Sequence, residues 1–361
     1  MSAKAIDLAW RKEGMLKIDE IRPGVLRKAN DVKANGVAHA KPSPSRLAST
    51  IPAWLYDALE IILSQRGLSW AFGIGVHVPH ERRSLERNSF LSATLLSLVK
   101  NVLIFDLLES FIKLVPEVNT PYGGTIFKEE LSFFYRYVLS TAIHVATGSC
   151  IIAAFNLIYD FFTIISVLLL GSSPCSWPPV TDHPFHSDSL HTFWSKRWHQ
   201  VLRETFFVFG GFPGRIVAGN VGMMFGTFIG SGLYHEFAAY ALGRGFDILV
   251  PLFFTLQAPL LLCEKGWYKY TGHRVGGLYG RLWVFFCMVI LAQPLSTCLS
   301  MSLVDADLYA PFIVADSWHR RGLGGGFLYP PSLSLTRQFI IPFIRHSLNG
   351  PDIIDSSVEF T

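Results

Sequence analysis

Two short segments hold the residues best suited to chemistry: Ser189-Leu-His-Thr-Phe-Trp-Ser-Lys-Arg-Trp-His-Gln200, and Ser231-Gly-Leu-Tyr-His-Glu236 within an apolar stretch. A polar, basic and aromatic segment beside membrane-grade sequence is costly to keep there and marks a functional site. Burial disfavours an imidazolium, so a histidine such as His235 is expected to be neutral near pH 7 and able to take a proton from an alcohol. That is what a general base must do. A core histidine bonded to a neighbouring helix is the plainer alternative. For His199, a catalytic partner and a structural or interfacial residue are both open. Lys196, Arg197 and Arg203 have the chemistry to pair with the phosphates of an anionic nucleotide, and equally to snorkel toward lipid headgroups.

The elements around these residues are read from periodicity. Ser189 is placed to cap a helix in which Leu190, Trp194, Trp198 and Leu202 form an apolar stripe. On that helix Lys196, His199 and Arg203 fall three and four apart on another side. Pro174 to Pro184 cannot continue a helix and reads as a long irregular loop. Gly210-Gly211 and Pro213 suggest a re-entrant turn, which membrane-depth backbone tolerates only where protein or trapped water satisfies it. Gly222-x-x-x-Gly226-x-x-x-Gly230 is a ridge that lets another helix approach closely, and Ser231 and His235 share a face one turn beyond it.

The wider composition fits a membrane protein. Of 361 residues, 50% are hydrophobic and 16% charged, with mean hydropathy +0.34, whereas soluble domains carry about 25% charged residues. Apolar windows near 90–115, 133–170, 216–242, 246–263 and 282–303 approach the roughly 20 residues a spanning helix needs. The expectation is an all-α, polytopic bundle of five to seven spans. Lys100, Asp106 and Glu109 are too many charges for lipid, so the first window should face other helices or the interface. Residues 1–50 hold ten Lys/Arg against five Asp/Glu and read as a disordered, basic, cytosolic tail, suited to anionic lipid rather than nucleic acid. Residues 51–330 then form the membrane domain, with an amphipathic interfacial helix at Trp54–Leu63, and 331–361 a C-terminal tail.

Other chemistries find little support. His183, His186, Asp188 and His191 have metal-like composition, but a Pro-rich loop offers little rigid geometry, and no metal site is assigned. Five cysteines without a Cys-x-x-Cys pair read as small apolar residues. There is no Gly-x-Ser-x-Gly, Walker or paired-His oxygenase box.

Arg66-Gly-Leu-Ser-Trp70, Trp177-Pro-Pro-Val180, Leu190-His-Thr-Phe-Trp-Ser-Lys-Arg-Trp-His199 and Ser231-Gly-Leu-Tyr-His235 together resemble the fungal wax-synthase-like branch of the membrane-bound O-acyltransferases, from about Arg66 to about residue 300. The resemblance implies an MBOAT-like helix bundle in the endoplasmic reticulum membrane that moves an acyl group from acyl-CoA to a hydroxyl, with no permanently bound cofactor. It matches the family's membrane-embedded histidine to His235 and its polar partner, an asparagine in plant wax synthases, to His199. Members of this branch often acetylate terpenoid or meroterpenoid alcohols, so acetyl-CoA and such an alcohol are the expected substrates. Lys196, Arg197 and Arg203 would then hold CoA phosphates, and Trp194 and Trp198 would wall the cavity. Relatives begin with further membrane helices where this chain has a polar tail, and Glu236 stands where they often carry a small or apolar residue. The rival readings are a long-chain acyl-CoA:alcohol wax synthase, a transporter whose buried histidine relays protons, and an inactive, truncated relative.

Overall fold

The computed structural model describes residues 15–18, 20–22, 25–26, 50–63, 66–116, 118, 123–291, 314–321 and 333–348. The chain divides into two compact units, residues 1–99 with 155–314, and residues 100–154 with 315–361. Regular structure among the described residues is helical apart from a two-stranded hairpin, β1 (Glu20–Arg22) and β2 (Val25–Leu26). In chain order the helices are α1 (Ala53–Leu63), α2 (Arg87–Ile112), α3 (Phe133–Leu168), α4 (Leu190–Thr192), α5 (203–217), α6 (220–241), α7 (Leu249–Thr271), α8 (Gly277–Ile290), α9 (Val314–Arg320) and α10 (Ile341–Leu348).

Four stretches among the described residues are long and apolar enough to cross a membrane: α2, α3, the 203–241 stretch and α7; α8 is a shorter apolar helix. The expected fifth window continues past residue 291, outside the described residues. The 36 residues of α3 rise about 54 Å at 1.5 Å each, well beyond a bilayer core of about 30 Å, so this helix must tilt or protrude. The segment expected to lie at the interface is helical, as α1, with Trp54 exposed.

The 203–241 stretch is not one straight span. Its backbone leaves helical geometry at Ala218 (φ −141°, ψ 31°) and Gly219 (φ 57°, ψ −139°), and α5 folds back along α6. The contact is a glycine zipper: a Cβ on Gly226 would lie 2.0 Å from the Gly210 carbonyl oxygen, and one on Gly214 would lie 2.0 Å from that of Gly222. The glycine ridge therefore does admit a close neighbour, and the neighbour is the preceding segment of the same chain. The reversal falls at Ala218–Gly219 and not at Gly210-Gly211. That pair stays inside a widened π-turn (Phe207–Gly211), where its missing side chains serve the zipper, and the helix continues with Pro213 near the start of its next segment. At the tip, Ile216 and Val217 are 88% and 86% exposed, apolar surface that suits lipid.

In the first unit, part of the basic arm is ordered. Leu16 and Ile18 pair with the backbone of Ala71 and Ser69, Met15 is buried with Trp70 and Phe72, and Lys17 meets Asp57 at 2.6 Å. Two arginines clamp the proline loop. Buried Arg66 donates to the carbonyls of Pro178 (2.8 Å) and Pro179 (2.7 Å) and to the Tyr159 hydroxyl, while Arg83 donates to that of Trp177 (2.8 Å). The loop is irregular as expected, with single turns at Pro174–Ser176 and Pro184–His186.

In the second unit, Asp106 is buried and accepts the Thr336 N–H at 2.8 Å, Glu109 pairs with Lys113, and Ser110 meets Ser334 at 2.9 Å. Lys100 is exposed. Asp316 of α9 is buried and accepts the Ile126 N–H and the Thr125 hydroxyl, both at 2.8 Å. Part of the expected C-terminal tail is helical, a π-turn (Thr336–Ile340) that runs into α10. Asp106 takes one of the N–H groups that a helix start leaves free.

Candidate functional site

The signature segment begins as its sequence dictates. The Ser189 hydroxyl caps α4 by accepting the Thr192 N–H at 3.1 Å. Helix α4 is then short: Leu190–Thr192 is followed by a π-turn, Phe193–Arg197, closed by the Trp198 N–H on the Phe193 carbonyl at 2.8 Å. Trp198 is extended (φ −72°, ψ 157°), and the next helix starts at Arg203. Lys196, His199 and Arg203 therefore do not share one helical face as their spacing predicts. The wide turn lets Phe193, Trp194 and Trp198 pack on one another, and Gln200 caps it by donating to the carbonyls of Trp194 (2.9 Å) and Trp198 (3.2 Å). His199 sits in the break.

His199 is 8% exposed, its ring 4.4 Å from Phe155 and 5.2 Å from Trp198 between centroids. Its Nδ1 is buried without a hydrogen-bond partner among the described residues. Burial, and then the nearness of His235, push its pKa down to about 4. It is a neutral imidazole over the physiological range.

His235 lies on α6, its Nδ1 2.7 Å from the Ser231 carbonyl oxygen. A carbonyl only accepts, so Nδ1 carries the hydrogen and Nε2 of the neutral ring holds a free lone pair. The ring stacks on Phe254 of α7 at 4.7 Å and 23°, with Phe206 at 6.0 Å. Gly232 makes that stacking possible: a Cβ there would stand 2.6 Å from Pro251 Cα and 3.2 Å from Phe254 Cβ. The motif thus reads as backbone acceptor, close helix contact and an imidazole held through its Nδ1. Glu236, the unusual neighbour, is fully buried and accepts the Asp247 N–H at 2.6 Å, holding the turn into α7.

An aromatic wall links the two histidines. Trp194 meets Phe254 at 6.1 Å, Phe228 at 5.6 Å and Trp198 at 6.3 Å, and its indole N–H donates to Gln257 at 3.2 Å. The basic residues are dispersed. Lys196 is exposed, Arg197 donates to the carbonyls of Asp182 (3.1 Å) and His183 (3.4 Å), and Arg203 lies over the Phe207 ring at 4.7 Å. His183 and His186 touch edge to face at 5.7 Å, and among the described residues no group of three metal-type side chains converges. Gln257 and Glu264 of α7 are not singled out by the sequence. Their partners lie 63 and 74 positions away, and the only local signal is a carboxylate at the edge of an apolar window.

Residues 177–256 match the Membrane bound O-acyl transferase family. Among curated proteins, Acetyltransferase aurG of Calcarisporium arbuscula is 26% identical over 204 residues, 50% of this chain and 48% of that protein. Acetyltransferase eriL of Hericium erinaceus is 25% identical over 202 residues, 53% and 51% of the two chains. The chain spans about half the length of these curated relatives, and no solved structure matches it. The residues that match the family run from the arginine-clamped loop through both histidines to the Phe254 ring.

Proposed function

We propose that this chain transfers an acyl group, foremost acetyl, from acyl-CoA to the hydroxyl of a terpenoid or meroterpenoid alcohol, within the endoplasmic reticulum membrane. The observation that carries this reading is the His235 Nδ1 contact with the Ser231 carbonyl, which leaves Nε2 free as a base beside a second neutral imidazole. The acetyltransferase names of both relatives support the acetyl donor.

In this mechanism Nε2 of His235 takes the hydroxyl proton as the alcohol oxygen attacks the thioester carbonyl. His199 turns its one N–H toward the oxyanion that forms, in an apolar site where such a bond gains strength. The carbon–sulfur bond then breaks, and the proton on His235 passes to the departing CoA thiolate. No acyl-enzyme is formed. Lys196 is the exposed cation for CoA phosphates, Arg203 a second, and Trp194 and Trp198 shape the acceptor's wall.

The test is acetyl and palmitoyl transfer to a panel of terpenoid alcohols by wild-type and His235→Ala protein. Loss of a general base costs on the order of 10²–10⁴ in rate. His235→Ala activity within a few-fold of wild type defeats the assignment, and preference for the palmitoyl donor makes the protein a wax synthase.

A further inference from the structure

Helix α7 grips the signature segment at two points, two turns apart. Gln257 holds the Trp194 indole. Seven residues on, Glu264 accepts the Leu190 N–H on one oxygen at 2.6 Å and the His191 N–H on the other at 3.0 Å. The Trp283 indole of α8 donates to the first oxygen at 3.0 Å. A helix start leaves its first N–H groups unpaired and carries partial positive charge, so a carboxylate there is stabilised while it satisfies them. Glu264 and Ser189 together satisfy Leu190, His191 and Thr192. A carboxylate only 9% exposed in an apolar helix is expensive unless its oxygens are fully used.

The same helix carries Phe254, on which His235 stacks. One helix, with Pro259 in its interior, therefore touches both halves of the site: Phe254 sets the base, and Glu264 sets the origin of the segment that ends at His199. We propose that Glu264 is a positioning residue for acyl transfer, fixing the distance between the His199 segment and His235 through α7. This rests on the acyl-transfer reading, since positioning matters only if the two imidazoles act on one substrate pair.

Full-length Glu264→Gln, Glu264→Asp and Trp283→Phe proteins in detergent test it by two readouts. In Glu264→Gln one acceptor becomes a donor, so one of the two backbone N–H groups loses its partner. Displacement of reacting groups by about 1 Å costs up to roughly 100-fold. We expect kcat, normalised to folded monodisperse protein, to fall about 10- to 100-fold with KM for acetyl-CoA within about threefold. Glu264→Asp keeps both oxygens on a shorter stem and should recover part of the rate. Trp283→Phe leaves both backbone bonds and should cost less than about fivefold. Independently of activity, amide hydrogen exchange in a peptide covering residues 186–200 should quicken in Glu264→Gln. Unchanged exchange, kcat within threefold of wild type, or a rate loss matched by lost folded protein overturns the proposal. Wild-type protein that transfers no acyl group overturns the catalytic reading and with it any positioning role, while the exchange experiment still reports whether the clamp exists.

Discussion

Adding a single methyl group at Gly232 tests whether the site depends on the approach of α6 to α7. The new Cβ would lie 2.6 Å from Pro251 Cα, 3.0 Å from the Pro251 oxygen and 3.2 Å from Phe254 Cβ. Carbon atoms rest at about 3.5–4.0 Å, and a backbone atom cannot rotate aside, so the helices must part by about 1 Å. Overpacking of this kind costs about 1–3 kcal/mol, which a chain of this size can absorb and remain folded. The chemistry is less tolerant. Phe254 lies three residues beyond Pro251 and His235 three beyond Gly232, so the 4.7 Å stack between them opens with the helices. A displacement of about 1 Å costs up to roughly 100-fold in rate, and Gly232→Ala is expected to lower kcat about 10- to 100-fold. Gly266 supplies the control on α7 itself, because a Cβ there meets nothing within 4 Å. Gly266→Ala should be fully active and about 0.5–1 kcal/mol more stable from helix propensity. Initial rates of the proposed acetyl transfer, normalised to monodisperse protein, decide the matter. Gly232→Ala activity within threefold of wild type refutes the coupling of helix approach to catalysis.

Gly226→Ala sets a Cβ 2.0 Å from the Gly210 oxygen, so the hairpin of residues 203–241 cannot close, and size-exclusion chromatography in detergent should show loss of monodisperse protein. Arg66→Lys replaces a planar fork that serves two carbonyls with a single ammonium. An orphaned buried acceptor costs about 1–3 kcal/mol, read as a lowered thermal midpoint. For His199 the native pKa is depressed to about 4, whereas an unfolded chain titrates near 6.5. As pH falls through 6.5 toward 4 the unfolded chain binds a proton that the native site refuses, so stability is lost over that window, on the order of 3 kcal/mol in full. His199→Asn should weaken the dependence of the thermal midpoint on pH between 7 and 4.5, leaving the share of His319, which burial also pushes down to about 4.

Legibility in the sequence follows locality. Ser189 capping Thr192, the proline loop and the apolar windows are set by neighbours within a few residues, and each is readable from residue type and spacing. The glycine ridge is readable as a close-contact surface, but its partner is not, because the reversal at Ala218–Gly219 carries no proline and only one glycine. The face shared by Lys196, His199 and Arg203 fails for a tertiary reason. Periodicity assumes 3.6 residues per turn throughout, and the packing of Phe193, Trp194 and Trp198, with Gln257 and Gln200 taking up the polar atoms, favours a wider turn that ends at Trp198. Met15 beneath Trp70 is hidden by the charge of the arm around it, since net composition says nothing about one apolar residue that finds a pocket.

The identity of the acceptor on His235 has a consequence that separates two explanations of the Ser231-x-x-x-His235 spacing. If the serine hydroxyl oriented the imidazole, Ser231→Ala would free the ring to adopt either tautomer and activity would fall with it. The structure gives the bond to the Ser231 backbone carbonyl instead, at 2.7 Å, so every residue at this position offers the same acceptor as long as the helix persists. Four-residue spacing then matters because it is one turn of helix, not because position 231 is polar. Ser231 is 6% exposed, and alanine is the one substitution that neither fills that space nor disturbs the helix. Ser231→Ala should therefore keep acetylation within about fivefold of wild type and leave the pH–rate profile unshifted. A loss of 100-fold or more, with folded protein retained, would return the orienting role to the hydroxyl and show that the backbone alone does not hold Nε2 free.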